Sequence, residues 1–183
     1  MRAILSLLLC LAIALPAITG KDAQAADIEA AFSQRGQSLE LILSTISSAT
    51  ESLLVAACTF TSKPIAEALL AAHERGVQVR VVADKRSSAD RNTALNFLAN
   101  RGVSVRLNGK YAIHNHKFMV IDGRHVQTGS FNYTNAAVSK NAENVLVVRN
   151  NPELAGQYAK EWQQHWDEGE SIKRISLKRL RQE

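Results

Sequence analysis

Short apolar runs alternate with amphipathic stretches along most of this chain of 183 residues. Val77, Val79 and Val81 alternate with polar residues, which is the period of a half-buried strand. Such runs predict strands over 28–32, 52–60, 77–83, 103–107, 117–121, 125–128 and 144–148. Apolar residues at helical spacing predict helices over 38–49, 63–75, 90–100 and 152–167. Strands separated by helices predict an α/β fold, with a mixed, mostly parallel sheet flanked by helices on both faces.

Residues 1–25 have the three-part pattern of a secretory signal. Arg2 supplies the positive charge, 4–13 form the apolar run, and the small residues of 23–25 form a cleavage site. The run is shorter than the roughly 20 residues that a permanent membrane anchor needs. We therefore expect a periplasmic or secreted protein that keeps no stable membrane anchor after cleavage.

Composition indicates one compact, mildly basic domain, predicted to comprise 26–170. Lys and Arg exceed Asp and Glu by five, which favours a polyanionic partner. Two cysteines are too few for a disulfide-dense scaffold, and Cys58, in an apolar run, is expected to be a buried hydrophobe. The basic segment 171–183 is interpreted as a tail, either a solvated terminus or an arm that meets phosphates.

Side chains that can take part in catalysis or ligand binding are densest between positions 114 and 143. Lys117 offers an ammonium group, while Ser130 and Asn132 offer a hydroxyl and an amide on one face of an extended segment. These donors together suit the non-bridging oxygens of a phosphodiester. Each residue alone has an ordinary explanation as a strand end or a cap, and 122–123 as a turn. Their combination favours a phosphate-binding site.

The spacing from Lys117 to Asp122 and the run Gly129-Ser130-Phe131-Asn132 resemble the phospholipase D superfamily, whose motif is H-x-K-x4-D followed by G-S-x-N. Glu143 matches the glutamate that completes that site. The resemblance is to the small, exported, single-motif bacterial endonucleases of this superfamily. It implies an α-β-α sandwich and sequence-nonspecific cleavage of DNA through a phosphohistidine, with no metal and no cofactor.

The resemblance also implies a role for each matching residue. Lys117, Ser130 and Asn132 would bind phosphate, and Glu143 would orient the nucleophilic histidine. Asp122 would be a supporting residue. Because a two-histidine mechanism needs two motifs, a single-motif chain is expected to form a homodimer with one composite active site around 115–132.

The chain departs from the motif at the nucleophile. Position 115, two residues before Lys117, holds asparagine, whose amide cannot accept a phosphoryl group. In a regular strand the flanking His114 and His116 would face away from Asn115 and Lys117. A bulge or an irregular segment could instead bring either histidine into the site. We expect strongly impaired catalysis on an otherwise intact site, with a natural variant or a shifted register as open alternatives.

Two other classes of function compete with a metal-independent nuclease. His114, His116, His125 and Asp122 could bind a metal, although an H-x-H pair is more often unliganded. A non-catalytic nucleic-acid-binding protein would use cations near one loop and in the tail. Those cations are Lys85, Arg86, Arg91 and the Lys and Arg residues of 171–183.

Phospholipid is the alternative substrate within the same enzyme class. A lipid hydrolase would be expected to show an exposed apolar patch or an interfacial amphipathic helix. The predicted helix over 152–167 has one apolar face, formed by Leu154, Tyr158, Trp162 and Trp166. We interpret that face as packed in the core, which removes the sign of a lipid-binding helix. The net positive charge of the chain then favours nucleic acid over phospholipid as the substrate.

Overall fold

The structure is a computed structural model that describes residues 27–33, 36–87 and 94–172. The predicted signal segment 1–25, Arg91 and nearly all of the predicted tail lie outside the described residues.

The described part of the chain forms one sheet with helices around it. The strands are β1 Asp27–Phe32, β2 Ser52–Ala57, β3 Gln78–Asp84, β4 Ser104–Asn108, β5 Phe118–Ile121, β6 His125–Gly129, β7 Asn144–Arg149 and β8 Glu170–Ser171. The helices are α1 Gln37–Ser47, α2 Lys63–Glu74, α3 Ala94–Asn100, α4 Asn135–Ser139 and α5 Pro152–Glu168.

The sheet is mixed, with strand order β1-β7-β6-β5-β2-β3-β4-β8. Only the pairs β2–β3 and β3–β4 of this sheet are parallel, and the other neighbouring pairs are antiparallel. The mixed sheet is therefore confirmed, but the prediction that it is mostly parallel is wrong. The physical reason is connection length, because three residues join β5 to β6 and so short a loop can only make a hairpin.

Helices cover both faces of the sheet, as predicted. Leu53 and Val55 of β2 belong to the core on the face of α1, α2 and α3. Ala56 belongs to the opposite core, beneath α5. There Trp162 is fully buried and donates a hydrogen bond from Nε1 to the carbonyl oxygen of Val55, at 2.9 Å. The apolar face of α5 is therefore core, as its pattern indicates.

Two short elements were not predicted from sequence. Strand β8 pairs antiparallel with β4, so Ser171, the first residue of the predicted tail, belongs to the sheet. Helix α4 begins after Thr134, whose Oγ1 accepts a hydrogen bond from the Ala137 amide at 3.1 Å.

Cys58 is buried, as expected. No helix in the described ranges is both long and apolar enough to cross a membrane.

Candidate active site

The β5–β6 hairpin places the two ends of the sequence motif at opposite ends of β5. Asp122 and Gly123 form the hairpin turn, and both have positive φ. The Asp122 carboxylate accepts hydrogen bonds from the backbone amides of Thr50, Glu51 and Ser52, at 2.8–3.0 Å. Burial by itself raises the pKa of Asp122, but these donors outweigh it and hold the pKa below its usual value. Asp122 thus anchors the turn to the start of β2.

The other end of the motif is irregular. Strand β5 begins at Phe118, one residue later than predicted, and 113–117 have no regular secondary structure. The alternation of a strand therefore does not apply there, and Asn115, His116 and Lys117 all line the same cleft. The expectation of impaired catalysis depended on a regular strand and loses that support.

The cleft has a volume of about 730 Å³ and lies between the β5–β6 hairpin and α5. Ser130 and Asn132 of the G-S-x-N run line it together with the loop residues. The full lining comprises Asn115, His116, Lys117, Phe118, Thr128, Gly129, Ser130, Asn132, Gln157, Tyr158 and Glu161. Lys117 Nζ donates to the backbone oxygen and to Oδ1 of Asn115, at 2.8 and 2.5 Å. The predicted phosphate-binding side chains therefore meet in one place.

The close approach of two strands requires the glycine of the G-S-x-N run. Gly129 has φ +149°, and a Cβ at this position would overlap the carbonyl oxygen of Asn144 on β7. The next residue, Ser130, donates from Oγ to Glu143 Oε2 at 2.6 Å and accepts from the Asn144 amide at 3.1 Å. Backbone packing thus fixes where the Ser130 hydroxyl meets the cleft.

Glu143 contacts Ser130 and Asn141 rather than a histidine in the described part of the chain. Its carboxylate accepts from Ser130 Oγ and from Asn141 Nδ2, the latter at 2.9 Å. Among the described residues, no histidine is hydrogen-bonded to Glu143. Asn132 lines the cleft, and its Oδ1 is buried without a partner in the described ranges.

The two histidines that flank Asn115 have different environments. His114 is 2% exposed, with Nδ1 3.3 Å from the Ala57 carbonyl oxygen, and it does not line the cleft. Burial, followed by the charges of the His165 and His116 rings, lowers the pKa of His114 to about 4. Burial also lowers the pKa of His116, whose ring faces the cleft with 43% of the side chain exposed. The His114 ring is therefore neutral at neutral pH, and burial favours the neutral form of His116.

Sequence reasoning missed two polar residues of α5 beside this cleft. His116 Nε2 lies 3.5 Å from Glu161 Oε1, and His165 Nε2 lies 2.9 Å from the same oxygen. Spacing offers a signal, because positions 161 and 165 share one face of a helix. That signal was overlooked because the apolar pattern assigned α5 to core packing.

The fold does not bring together the four residues that the sequence suggested as metal ligands, which are His114, His116, His125 and Asp122. His125 follows the β5–β6 turn, where its Nδ1 accepts a hydrogen bond from the Asn150 amide at 2.9 Å. Since Asp122 occupies the same turn, both residues lie at the opposite end of β5 from His116. His116, Glu161 and His165 are instead close enough to hold an ion, with their ligand atoms within 4.8 Å of one another.

The cations predicted near one loop are engaged within the protein. Lys85 pairs with Glu170 at 2.8 Å. Arg86 donates from Nη1 to the Ala112 carbonyl oxygen at 2.7 Å, which holds the chain just before the irregular segment. These contacts leave Lys117 as the described cation that lines the cleft.

Two proteins of known structure match this chain along nearly the whole of their own length. Nuc from Salmonella typhimurium, a phospholipase D family member, is 37% identical with a TM-score of 0.80, covering 81% of this chain and 99% of Nuc. NucT from Helicobacter pylori is 25% identical with a TM-score of 0.72, covering 81% of this chain and 100% of NucT. The α/β fold with a mixed sheet between helices is thus shared with both.

Sequence comparison places the chain in a family. Mitochondrial cardiolipin hydrolase from Chlamydomonas reinhardtii is 33% identical over 136 residues, which are 74% of this chain and 60% of that protein. The chain therefore spans about three fifths of the length of this curated relative. Residues 17–166 match the family model described as cardiolipin synthase, PLD-like domain. The chain belongs to this family of PLD-like domains, within the phospholipase D superfamily.

Proposed function

We propose that this protein is a metal-independent phosphodiesterase that cleaves DNA, with His116 as the nucleophile in place of the residue missing at position 115. One observation carries the proposal: an imidazole, an ammonium, a hydroxyl and an amide line a single cleft. Those groups belong to His116, Lys117, Ser130 and Asn132. They are the donors and the nucleophile that phosphodiester hydrolysis requires.

His116 is preferred because of its exposure and its partner. Asn115 has no nucleophilic nitrogen, and His114 is buried with Nδ1 facing a backbone carbonyl. Glu161 Oε1, at 3.5 Å, is placed to accept a hydrogen bond from His116 Nε2–H. The lone pair is then on Nδ1, which is the nitrogen that attacks. Glu161 thus takes the orienting role that the family resemblance assigned to Glu143, whose carboxylate is engaged with Ser130.

Lys117, Ser130 and Asn132 hold the phosphate in this proposal. The ammonium of Lys117 already donates to Asn115, and a phosphate oxygen can replace that exposed acceptor. The Ser130 hydroxyl, which contacts Glu143 and the Asn144 backbone amide, turns its hydrogen from the Glu143 carboxylate to a phosphate oxygen. The Asn132 amide lines the same cleft. Their donors neutralise the negative charge that develops on the non-bridging oxygens as phosphorus is attacked.

The reaction proceeds in two balanced steps. Nδ1 of His116 forms a bond to phosphorus as the bond to the leaving oxygen breaks. That oxygen takes a proton from His116 of a second copy, whose imidazolium form the adjacent negative phosphate favours. The second imidazole, now neutral, removes a proton from water. The water oxygen then bonds to phosphorus and the P–N bond breaks, which releases a phosphomonoester. A homodimer with a composite site supplies the two imidazoles.

The substrate proposed is DNA, and phospholipid is the competing candidate. The charge balance of the chain and the Lys117 ammonium in the cleft support a nucleic acid. The apolar face of α5 is packed against the sheet and so offers no interfacial helix. The name of the cardiolipin hydrolase relative supports the lipid instead. The predicted signal segment supports an exported enzyme, periplasmic or secreted.

The test is a cleavage assay in excess chelator on plasmid DNA and on cardiolipin vesicles. We expect the wild type to cut DNA, His116→Ala to lose at least about 10³-fold in rate, and Asn115→Ala to change the rate far less. His73→Ala, on α2, is the control for loss of a histidine elsewhere.

Two outcomes would overturn the proposal. A wild type that binds DNA without cutting it, while Asn115→His cuts, would identify an inactivated member that only binds nucleic acid. Hydrolysis of cardiolipin with no cleavage of DNA would identify a phospholipase.

A further inference from the structure

Three histidines and a glutamate form a cluster at one wall of the cleft. The ring centroids of His116 and His165 lie 5.0 Å apart, and those of His114 and His165 lie 4.7 Å apart. Glu161 presents one carboxylate oxygen to both His116 and His165. The Nε2 atom of His114 is buried and has no hydrogen-bond partner in the described part of the chain.

The spacing of three of these side chains suits a small divalent cation. Zn²⁺ binds imidazole nitrogen and carboxylate oxygen at roughly 2.0–2.2 Å, so neighbouring ligand atoms of a tetrahedral site lie about 3.4 Å apart. The two nitrogen-to-oxygen distances are 2.9 and 3.5 Å, and the ligand atoms of His116, Glu161 and His165 all lie within 4.8 Å of one another. The side chains of His116 and Glu161 are 43% and 48% exposed and so have room to rotate toward that geometry.

The surroundings of His165 also suit a metal ligand. A coordinating histidine commonly directs its other ring nitrogen at a carboxylate. His165 Nδ1 lies 3.7 Å from Glu168 Oε2, and Asn108 Nδ2 donates to that same oxygen at 3.2 Å. Asn108 Nδ2 also lies 3.4 Å from His165 Nδ1. With Nε2 bound to a cation, Nδ1 carries the proton, and Glu168 Oε2 is the acceptor beside it. His165 is 95% buried by side chain, so its ring is already fixed.

We propose that His116, Glu161 and His165 bind Zn²⁺ at the wall of the cleft. The set of two imidazoles and one carboxylate leaves the fourth position of a tetrahedral ion open to solvent in the cleft. This site differs from the one considered from sequence, since it shares only His116 with that set. It joins a loop residue to one helical face of α5.

Occupation of this site inhibits the enzyme, a consequence that rests on the proposed function. A neutral imidazole bound to Zn²⁺ through Nε2 carries its proton on Nδ1. His116 then has no lone pair with which to attack phosphorus. Zn²⁺ also replaces the hydrogen bond that Glu161 would accept from His116 Nε2–H. The metal is therefore an inhibitor of this enzyme rather than its cofactor.

Calorimetric titration of the untagged protein with Zn²⁺ near neutral pH tests the site directly. We expect one ion per protomer, and Glu161→Gln should weaken binding by more than the roughly 100-fold that losing an outer partner costs. Glu153→Gln, an exposed position on the same helix, is the matched control and should bind as the wild type does. The tetrahedral absorption bands of Co²⁺, present in the wild type and lost in Glu161→Gln, provide a second readout.

DNA cleavage measured against free Zn²⁺ separates this inference from the proposed function. Inhibition with a midpoint at the calorimetric Kd supports both. Binding without inhibition supports the site and overturns the role of His116 as nucleophile. Absence of binding, or equal binding to the wild type and Glu161→Gln, overturns the site and leaves the proposed function standing.

Discussion

The two ends of strand β5 differ in what their polar side chains contact and in how exposed those side chains are. At the turn, the Asp122 carboxylate accepts hydrogen bonds from three backbone amides and from the Thr50 hydroxyl. At the other end, His116 and Lys117 lie in an irregular segment with partly exposed side chains. The first end uses its polar groups internally, whereas the second leaves them facing a cleft. We therefore call the Asp122 end of β5 the architectural end, and the end with His116 and Lys117 the chemical end.

The architectural end determines where the chemical end lies. Asp122 holds the start of β2, and β2 pairs with β5 from Leu53–Ile121 to Ala56–Phe118. At the far end of that pairing, the Ala57 carbonyl oxygen meets the His114 ring. The register of one strand pair thus links Asp122 to the loop that carries His116, about four residues along the strand.

Of the replacements that separate the two ends of β5, Lys117→Met should give the largest effect, and an effect on chemistry alone. Among the described residues, the Lys117 ammonium donates hydrogen bonds to exposed acceptors of Asn115, so its removal should leave the free energy of unfolding within about 0.5 kcal/mol of the wild type. Loss of a charged donor to the phosphate should lower kcat/KM for DNA by about 10²–10³-fold. Single-turnover cleavage and urea unfolding measure the two quantities.

Lys63→Met, on α2, is the matched control, because that lysine is 81% exposed and pairs with Glu67. It should leave both quantities unchanged. Equal losses of activity in the two variants would show that general charge, rather than a positioned ammonium group, drives cleavage, and the contrast between the two ends of β5 would fail.

Replacement of Asp122 by alanine should lower the free energy of unfolding and leave the catalytic chemistry nearly unchanged. Three amides and a hydroxyl lose their acceptor, and because this site is partly exposed we expect a loss of about 2–3 kcal/mol in the free energy of unfolding. The folded fraction should retain most of its activity per molecule. Urea denaturation and cleavage by the same samples measure both, with Asp167→Ala, an exposed residue near the end of α5, as the control.

A stable Asp122→Ala variant without activity would contradict the architectural role. It would place Asp122 among the residues that act on the substrate, although it lies at the far end of β5 from the cleft.

Hydrophobic patterning predicts the elements that are long enough to show a period. The strand over 77–83 and the helix over 152–167 were found because side-chain burial repeats along them. Strand direction leaves no trace in such a pattern, which explains why the parallel share of the sheet was overestimated. Strand β8 has two residues and α4 has five, so neither completes a recognisable repeat.

The candidate site was predictable where its residues are close in sequence. The motif located Lys117, Asp122, Ser130 and Asn132 because their spacing is local to one hairpin. Partnership between His116 and Glu161 was not predictable, since it depends on α5 packing across the sheet beside an irregular loop. Local spacing can show that positions 161 and 165 share a helical face, but only tertiary packing shows what that face meets.

The smallest expected effect is a pH dependence confined to the architectural end. The pKa of folded Asp122 lies below its usual value, so its ionised form stabilises the fold at pH values above the unfolded-state pKa of about 4. That contribution is lost as the pH falls through the folded-state pKa. The advantage of the wild type over Asp122→Asn in urea should therefore be constant near neutrality and shrink below about pH 4. Asp27→Asn, exposed on the edge strand β1, controls for general acid destabilisation. Equal stability of the wild type and Asp122→Asn near neutral pH would mean that shape rather than charge holds the turn to β2, and the carboxylate would then have no more architectural value than an amide.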